Sequence, residues 1–130
     1  MDYKDKQIDK NKNFHCSFVH AWDGLKIAFL EEKNIQRHCV IALIVIALGF
    51  FFHCSGKEWL WLWVAIFTVI ILEIINTLVE NIVDLVVGHQ YHPLAKKIKD
   101  LAAGMVLVGA IIAAIIGVMI LGPHVLSWLT

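Results

Sequence analysis

Hydrophobic residues fall into three long blocks along this chain, and each block is apolar enough to predict a membrane helix. The blocks cover residues 35–52, 58–87 and 100–121. An α-helix rises about 1.5 Å per residue, so roughly 20 residues cross a bilayer core of about 30 Å. The second block is longer than this, and we expect its far end to project beyond the hydrocarbon.

The segment 14–32, before the first block, predicts an amphipathic helix that lies on the membrane surface. The residues of its apolar face are Phe14, Phe18, Trp22, Leu25 and Phe29. Aromatic anchors at helical spacing suit the membrane interface. The alternative is a soluble-type helix packed on a core, but the chain has little soluble sequence to form one.

The remaining segments predict the ends of the helices. Residues 1–13 are charged and lack the apolar stretch of a signal peptide, so we expect a disordered cytoplasmic tail. Pro93 favours a new helix start in the polar connection 88–99, and Gly122-Pro123 should end the last helix. Residues 14–130 then form a single membrane-embedded domain of the all-α class.

Composition supports a membrane protein and excludes several other classes. The chain is 59% hydrophobic, which is too apolar for a soluble domain of 130 residues. The net charge is zero, so the chain lacks the excess of basic residues that is typical of nucleic-acid-binding proteins. The cysteines form no CxxC or Cys/His metal signature, so we expect free and mostly buried thiols. The histidines lack paired metal spacing, and most are interpreted as interfacial polar groups.

The distribution of basic residues predicts the orientation in the membrane. Most lysines and arginines precede the first block or lie between the second and third, whereas Lys57 lies on the other side. Cytoplasmic loops carry the excess of positive charge, so the N-terminus should be cytoplasmic and the C-terminus outside. Trp59, Trp61 and Trp63 would then form an aromatic belt at the outer interface.

Four polar residues, Glu73, Asn76, Glu80 and Asp84, interrupt the second block at helical spacing. Their spacing of three, four and four places them within about an 80° arc of one helix face, and Thr77 falls in the same arc. Ionisable groups inside a membrane helix are unfavourable and usually mark function. Carboxylates can hold magnesium and take a proton from an alcohol. These residues, called the polar stripe below, are Glu73, Asn76, Thr77, Glu80 and Asp84.

Two further charged groups should lie at the depth of the polar stripe. Glu31-Glu32 ends the surface helix, and Lys99-Asp100 begins the third span. Carboxylates and a lysine at one depth could bind a metal nucleotide beside a membrane alcohol, as phosphoryl transfer requires. The sequence contains no phosphate-binding loop and no protein-kinase motif. One three-span chain encloses little space, so a site shared between protomers is the natural arrangement.

Two segments resemble the signature of the prokaryotic diacylglycerol kinase family, a group of small membrane lipid kinases. EIINTLVENIVD matches the pattern E-x-x-N-[ST]-x-x-E-x-x-x-D, and YHPLAKKIKDLAAG resembles the stretch that follows it. GLKIAFLEEKNIQRH resembles that family's link between surface helix and first span, and the resemblance extends over about residues 17–121. It implies a homotrimer in a bacterial cytoplasmic membrane with active sites shared between chains. It also implies ATP as phosphoryl donor and Mg²⁺ as cofactor.

The resemblance also implies roles for individual residues. Glu73 matches the catalytic base, and Asp84 and Thr77 support the site. The matches to metal ligands are Glu32 and Glu80. The matches to nucleotide or phosphate contacts are Asn76, Lys99, Asp100, Tyr91 and His92.

Residues after Lys99-Asp100 bear on the lipid substrate. Diacylglycerol-specific members tend to carry Gly-Ser there, whereas this chain has Leu101-Ala102-Ala103-Gly104 and resembles the Gram-positive undecaprenol kinase branch. Ile98 replaces the usual alanine before Lys-Asp. The resemblance implies that ATP phosphorylates undecaprenol at the cytoplasmic interface. Diacylglycerol, giving phosphatidic acid, is the alternative substrate.

Two other classes compete with a lipid kinase. A small transporter or proton-conducting oligomer would use Glu73 as its intramembrane carboxylate. Its site should lie at the membrane midplane, whereas the acids here cluster toward the inner interface. A membrane adaptor without enzymatic activity leaves the polar stripe unexplained.

Overall fold

The structure is a computed structural model, and it describes residues 14–88 and 90–130, apart from the side chain of His15. The described residues form four helices, which are α1 (Phe14–Glu31), α2 (Lys33–Phe51), α3 (Gly56–Val87) and α4 (Pro93–Leu129). The predicted all-α class is confirmed, and α2, α3 and α4 are long and apolar enough to cross a membrane. The tail expected at residues 1–13 lies outside the described residues.

The three long helices run antiparallel to their neighbours because short connections join them. At 1.5 Å per residue, α2 is about 28 Å long, α3 roughly 48 Å and α4 roughly 55 Å. The apolar core of a bilayer is only about 30 Å thick. Both α3 and α4 are therefore longer than one bilayer crossing requires, and the projection of the far end of α3 beyond the hydrocarbon stays a prediction.

The most extensive packing among the described helices is between α3 and α4. Gly109 of α4 makes this approach possible, since a Cβ atom there would lie 2.2 Å from Cδ1 of Leu72 on α3. Leu62 on α3 and Ala102 on α4 are almost fully buried. The α2 helix packs along α3 and touches α4, while α1 packs on α2. Small residues at such contacts let membrane helices approach closely.

The end predicted for the last helix at residue 121 is wrong. The α4 helix begins at Pro93 and continues through Pro123 to Leu129. Membrane helices tolerate proline when neighbouring groups compensate for the lost backbone bond. Here the last turns of α4 are held by contacts, because His124 lies 2.9 Å from Glu58 and Trp128 packs edge-on against Phe51.

A capping box starts α3. The Ser55 hydroxyl accepts from the backbone N–H of Glu58 at 3.4 Å, and Ser55 N–H donates to Glu58 Oε2 at 2.7 Å. These reciprocal bonds satisfy free donors at the helix start. Gly56 is the first residue of α3, and in the turn before it His53 has the left-handed φ of 53°. Gly88, at φ 60°, ends α3 in the conformation that glycine favours.

The junction between α1 and α2 is fixed by one side chain. Glu32 is extended between the helices, and Gln36 Nε2 donates to the carbonyls of Phe29 and Leu30 at 3.4 and 3.0 Å. These bonds satisfy free carbonyls at the end of α1. The five residues of the predicted apolar face of α1 are all exposed in the single chain. The membrane-surface position of α1 stays a prediction.

The cysteines differ in burial. All three are free, as expected, but only Cys54 is buried, while Cys39 is half-buried and Cys16 is exposed. The expectation of mostly buried thiols is therefore wrong for Cys16. Cys16 lies on α1, and little of the surface of α1 packs against the other helices.

Candidate functional site

The polar stripe occupies one face of α3, and its members differ in burial. Glu73 and Asn76 are each only 5% exposed, whereas Thr77, Glu80 and Asp84 are half-buried. Buried polar groups are unfavourable unless they find hydrogen-bond partners. The partners of these side chains therefore define what the site can do.

Glu73 is held by a histidine of the neighbouring helix. His38 Nε2, on α2, lies 3.0 Å from Glu73 Oε1. In the tautomer that carries its proton on Nε2, His38 donates this hydrogen bond, since a carboxylate oxygen accepts. This contact leaves Oε2 of Glu73 available to take a proton. The interpretation of the histidines as interfacial polar groups missed His38, although a buried carboxylate requires a donor from some facing helix.

Asn76 and Glu80 interact one turn apart. Asn76 Nδ2 donates to Glu80 Oε1 at 2.9 Å. The other amide atom, Asn76 Oδ1, is buried and has no hydrogen-bond partner among the described residues. Leaving such an acceptor unsatisfied costs about 1–3 kcal/mol. A buried acceptor beside a carboxylate is suited to a group that one chain does not supply.

A cavity of about 590 Å³ lies at the junction of α3 and α4. We call it the charged cavity, and its polar lining includes Asp84, Tyr91, His92, Lys96, Lys99 and Asp100. Five of these were predicted site residues, so the fold brings them to one place. Lys99 Nζ donates to Asp84 Oδ1 at 2.6 Å, and Lys96 pairs with Asp100.

Lys96 of the charged cavity was not among the predicted site residues, and His92 has a structural role besides the predicted one. Lys96 was not predicted, although its spacing of four from Asp100 is that of a helical ion pair. His92 Nδ1 accepts from the backbone N–H of Leu94 at 3.2 Å and so caps α4. His92 Nε2 takes no part in this bond, and the contact between His92 and a nucleotide stays a prediction.

Two apolar spaces adjoin the polar groups. A groove of about 690 Å³ shares Tyr91 and His92 with the charged cavity and continues along Ile82, Val86 and Ile98. A second space of about 480 Å³, here called the interhelical cavity, is bounded by His38. The rest of its lining is apolar and includes Ala42, Val69, Ala113 and Gly117. Polar groups thus meet apolar space, as a lipid alcohol requires.

Glu32 lies at the same level along the helices as Glu80, toward the predicted cytoplasmic end of the stripe. Glu32 precedes His38 by six residues, and Glu80 follows Glu73 by seven. Because α2 and α3 are antiparallel, both acids lie about 10 Å along the helices from the His38–Glu73 contact. Within the described residues, however, no hydrogen bond joins Glu32 to the stripe, and Glu32, Glu73 and Glu80 form no three-ligand cluster.

The side-chain oxygen atoms of the stripe are suitable ligands for a hard divalent cation. The Glu80 carboxylate and the unsatisfied Asn76 Oδ1 are oxygen atoms on adjacent turns. Magnesium prefers oxygen ligands and is usually held by one or two carboxylates plus substrate phosphates. One chain therefore provides part of such a site.

Comparison with known proteins identifies the family. The family model for prokaryotic diacylglycerol kinase matches residues 19–121. The undecaprenol kinase of Bacillus subtilis (strain 168) is 42% identical over 123 residues, covering 95% of this chain and 98% of the relative. A diacylglycerol kinase of Synechocystis sp. is 41% identical over 115 residues, covering 88% of this chain and 66% of that protein. A diacylglycerol kinase of Helicobacter pylori (strain ATCC 700392 / 26695) is 35% identical over 100 residues, covering 77% of each.

The match spans α2 and α3 completely and most of α1 and α4, so it includes every residue of the polar stripe and of the charged cavity. The resemblance of the sequence motifs is thereby confirmed. Kinases of this family imply ATP as phosphoryl donor and a lipid as acceptor. The chain belongs to the prokaryotic diacylglycerol kinase family and is a lipid kinase.

Proposed function

We propose that this protein transfers the γ-phosphate of ATP to undecaprenol and so makes undecaprenyl phosphate. The observation that carries the proposal is the buried Glu73 held by His38, where apolar space meets a stripe that leads to the charged cavity. The name of the Bacillus subtilis relative, which aligns over 98% of its length, supports undecaprenol as the acceptor. The Synechocystis relative supports diacylglycerol as the alternative.

Glu73 is the proposed general base. Its Oε2 takes the proton of the lipid hydroxyl, whose oxygen then bonds to the γ-phosphorus. The bond from that phosphorus to the bridging oxygen breaks, and ADP leaves with the bonding electrons. Phosphoryl transfer depends mainly on such positioning and on charge stabilisation. His38 would fix the carboxylate through Oε1, and the part of the lipid chain next to the hydroxyl would lie in the interhelical cavity.

The charged cavity is the proposed nucleotide site. Lys99 would exchange its bond with Asp84 for one to a phosphate, and Asp84 would then support its position. Tyr91 and His92 border the same cavity and would contact the nucleoside. Asp100 and Asn76 would contact the nucleotide or its phosphates, with Thr77 as a neighbour on the stripe.

Glu80 and Glu32 are the proposed ligands of Mg²⁺, which would offset phosphate charge when bound. Both lie at the same depth, although one chain does not bring them into contact. A homotrimer in which Glu32 comes from the neighbouring chain would complete the site. This arrangement would also give the unsatisfied Asn76 Oδ1 a partner.

The proposed location is the bacterial cytoplasmic membrane, with the N-terminus cytoplasmic and the C-terminus outside. The excess of basic residues before α2 and between α3 and α4 supports this orientation. The Lys99–Asp84 pair then lies on the side where ATP is available.

The test of the base is the variant Glu73→Gln, assayed with labelled ATP, magnesium and undecaprenol in mixed micelles. General-base catalysis contributes typically 10²–10⁴-fold, so we expect kcat to fall at least 100-fold. Asp23→Asn, which removes an exposed acid of α1 outside the proposed site, is the matched control and should keep normal turnover. Near-normal turnover of Glu73→Gln would contradict the mechanism.

The lipid is tested by offering undecaprenol and diacylglycerol together to the unmodified protein. We expect undecaprenyl phosphate as the faster product in the presence of magnesium. Faster formation of phosphatidic acid would favour the alternative substrate. Ion flux in liposomes without ATP consumption would instead support the transporter class.

A further inference from the structure

The far end of the helix bundle contains a second cluster of reactive side chains. Cys54 of the α2–α3 turn, Glu58 of the first turn of α3 and His124 of α4 place their ligand atoms within 4.8 Å of one another. Glu58 lies fifteen residues before Glu73, about 22 Å away along α3. The cluster is therefore separate from the proposed site of phosphoryl transfer.

We propose that Cys54, Glu58 and His124 form a zinc-binding site that fastens the α2–α3 turn to the last turns of α4. The three side chains offer one sulfur, one oxygen and one nitrogen atom. Thiolate, imidazole and carboxylate are the ligands that zinc prefers, whereas magnesium selects oxygen atoms. Three protein ligands leave the fourth tetrahedral position for water.

The ligand atoms are already close to the separations that zinc needs. With bond lengths of about 2.0–2.3 Å, ligands of a tetrahedral site lie roughly 3.3–3.8 Å apart. Here Glu58 Oε1 and His124 Nε2 are 2.9 Å apart, and no separation in the cluster exceeds 4.8 Å. Small side-chain rotations would therefore let a cation replace the direct Glu58–His124 contact.

Neighbouring residues hold two of the ligands in position. Ser55 donates from its backbone N–H and its hydroxyl to Glu58 Oε2, each at 2.7 Å, which leaves Oε1 directed at the cluster. The ring of Phe52 stacks on the His124 imidazole, with centroids 5.9 Å apart and planes 18° apart. Such outer contacts orient the ligands of metal sites.

Zinc binding requires Cys54 to release its thiol proton, and the bound cation would offset the repulsion between the resulting thiolate and the nearby Glu58 carboxylate. The site would thereby stabilise the part of α4 that follows Pro123.

The test uses the full-length protein without an affinity tag, purified in detergent and stripped of metal. Cobalt(II) replaces zinc as a spectroscopic probe, because a thiolate-to-cobalt charge-transfer band reports the Cys54 ligand directly. We expect one cobalt per chain with this band, its displacement by zinc, and no displacement by excess magnesium. Bound zinc should also raise the unfolding temperature.

Two variants and two controls locate the ion. Cys54→Ser should abolish the band, and His124→Gln should weaken zinc binding at least tenfold. Cys39→Ser and His53→Gln remove a thiol and an imidazole outside the cluster and should bind as the unmodified protein does. Matching circular dichroism of all metal-free variants is the check of folding.

The proposal is overturned if the unmodified protein shows no thiolate band on cobalt addition. It is also overturned if Cys54→Ser retains the band or if Cys39→Ser loses it. If Cys54→Ser is misfolded, His124→Gln and Glu58→Gln give the answer, since unchanged zinc affinity in either folded variant would exclude the site.

Discussion

At the scale of single residues, the two ends of the polar stripe have different partners. Substitutions at the two ends should therefore change different kinetic constants. Glu73 is buried against His38, whereas Asp84 is half-exposed and holds Lys99. About 16 Å of helix separates Glu73 from Asp84. Changes at the Glu73 end should therefore affect the chemical step, and changes at the Lys99 end should affect nucleotide affinity.

His38→Leu should lower kcat at least tenfold and leave the KM for ATP nearly unchanged. The substitution removes the donor to a buried carboxylate, and Glu73 then loses both its orientation and its stabilising partner. His38→Gln keeps a donor and should retain more activity. Steady-state kinetics at varied ATP give both constants, and a raised KM at constant kcat would instead place His38 in nucleotide binding.

Lys99→Met should raise the KM for ATP about tenfold or more, because hydrogen bonds to charged groups contribute about 1.5–3 kcal/mol. Methionine keeps an apolar stem and removes the ammonium that pairs with Asp84. Lys97→Met is the matched control, since Lys97 lies on the same helix and is exposed outside the charged cavity. Equal effects of the two substitutions would argue against a specific phosphate contact.

The sequence predicted some of these contacts and missed others for a physical reason. The spacing from Glu73 to Asp84 is local, so helical periodicity alone placed the stripe on one face. His38 lies 35 residues from Glu73, and His124 lies 66 residues from Glu58. Such partners depend on how helices pack, which no short motif reports. The same limit hid the Cys54–Glu58–His124 cluster.

At the scale of helices, the α3–α4 pair is the rigid frame of the site. Its contacts keep one register along the whole length, with Glu58 facing His124, Leu72 facing Gly109 and Asp84 facing Lys99. Apolar blocks in the sequence predicted these helices. The end of α4 was not predicted, because Gly122-Pro123 is a local stop signal and the contacts of His124 with the α2–α3 turn are tertiary.

Gly109→Ala should destabilise the α3–α4 pair by about 1 kcal/mol, the lower end of the usual effect of overpacking. The new Cβ would lie 2.2 Å from Leu72 Cδ1 but 3.7 Å from its Cγ, so the terminal methyl group of Leu72 must move while the rest of the side chain can stay. Gly104→Ala is the control, because a Cβ there meets no described atom of another helix within 4 Å. Thermal unfolding in detergent should show a lower midpoint for Gly109→Ala only, and equal midpoints would contradict the close contact.

At the scale of the whole molecule, a single chain leaves much of its apolar surface uncovered. Ile44 of α2, Phe67 of α3 and Val108 of α4 are all more than half exposed, as expected for faces that meet lipid or neighbouring chains. The proposed site is incomplete in the same way, since Glu32 and Glu80 share a depth without contact. A neighbouring copy that covers apolar surface could also supply Glu32.

This proposal predicts complementation between inactive chains. Glu73→Gln removes the base from α3, and Glu32→Gln removes the metal ligand at the α1–α2 junction. If each site takes Glu32 from a neighbour, random mixing in equal amounts leaves about a quarter of the sites with both acids. Co-expression of the two variants should therefore restore about 25% of normal activity, measured as phosphorylated lipid per unit of protein.

The matched pair is Glu73→Gln mixed with Glu80→Gln. Both substitutions lie on α3 at positions that face the same site, so each site formed by one α3 helix lacks one of the two acids. No activity should return in this mixture, while the mixture with Glu32→Gln recovers. Recovery in neither mixture would mean that one chain supplies all three acids, and the site would then have to close by movement of α1 rather than by assembly.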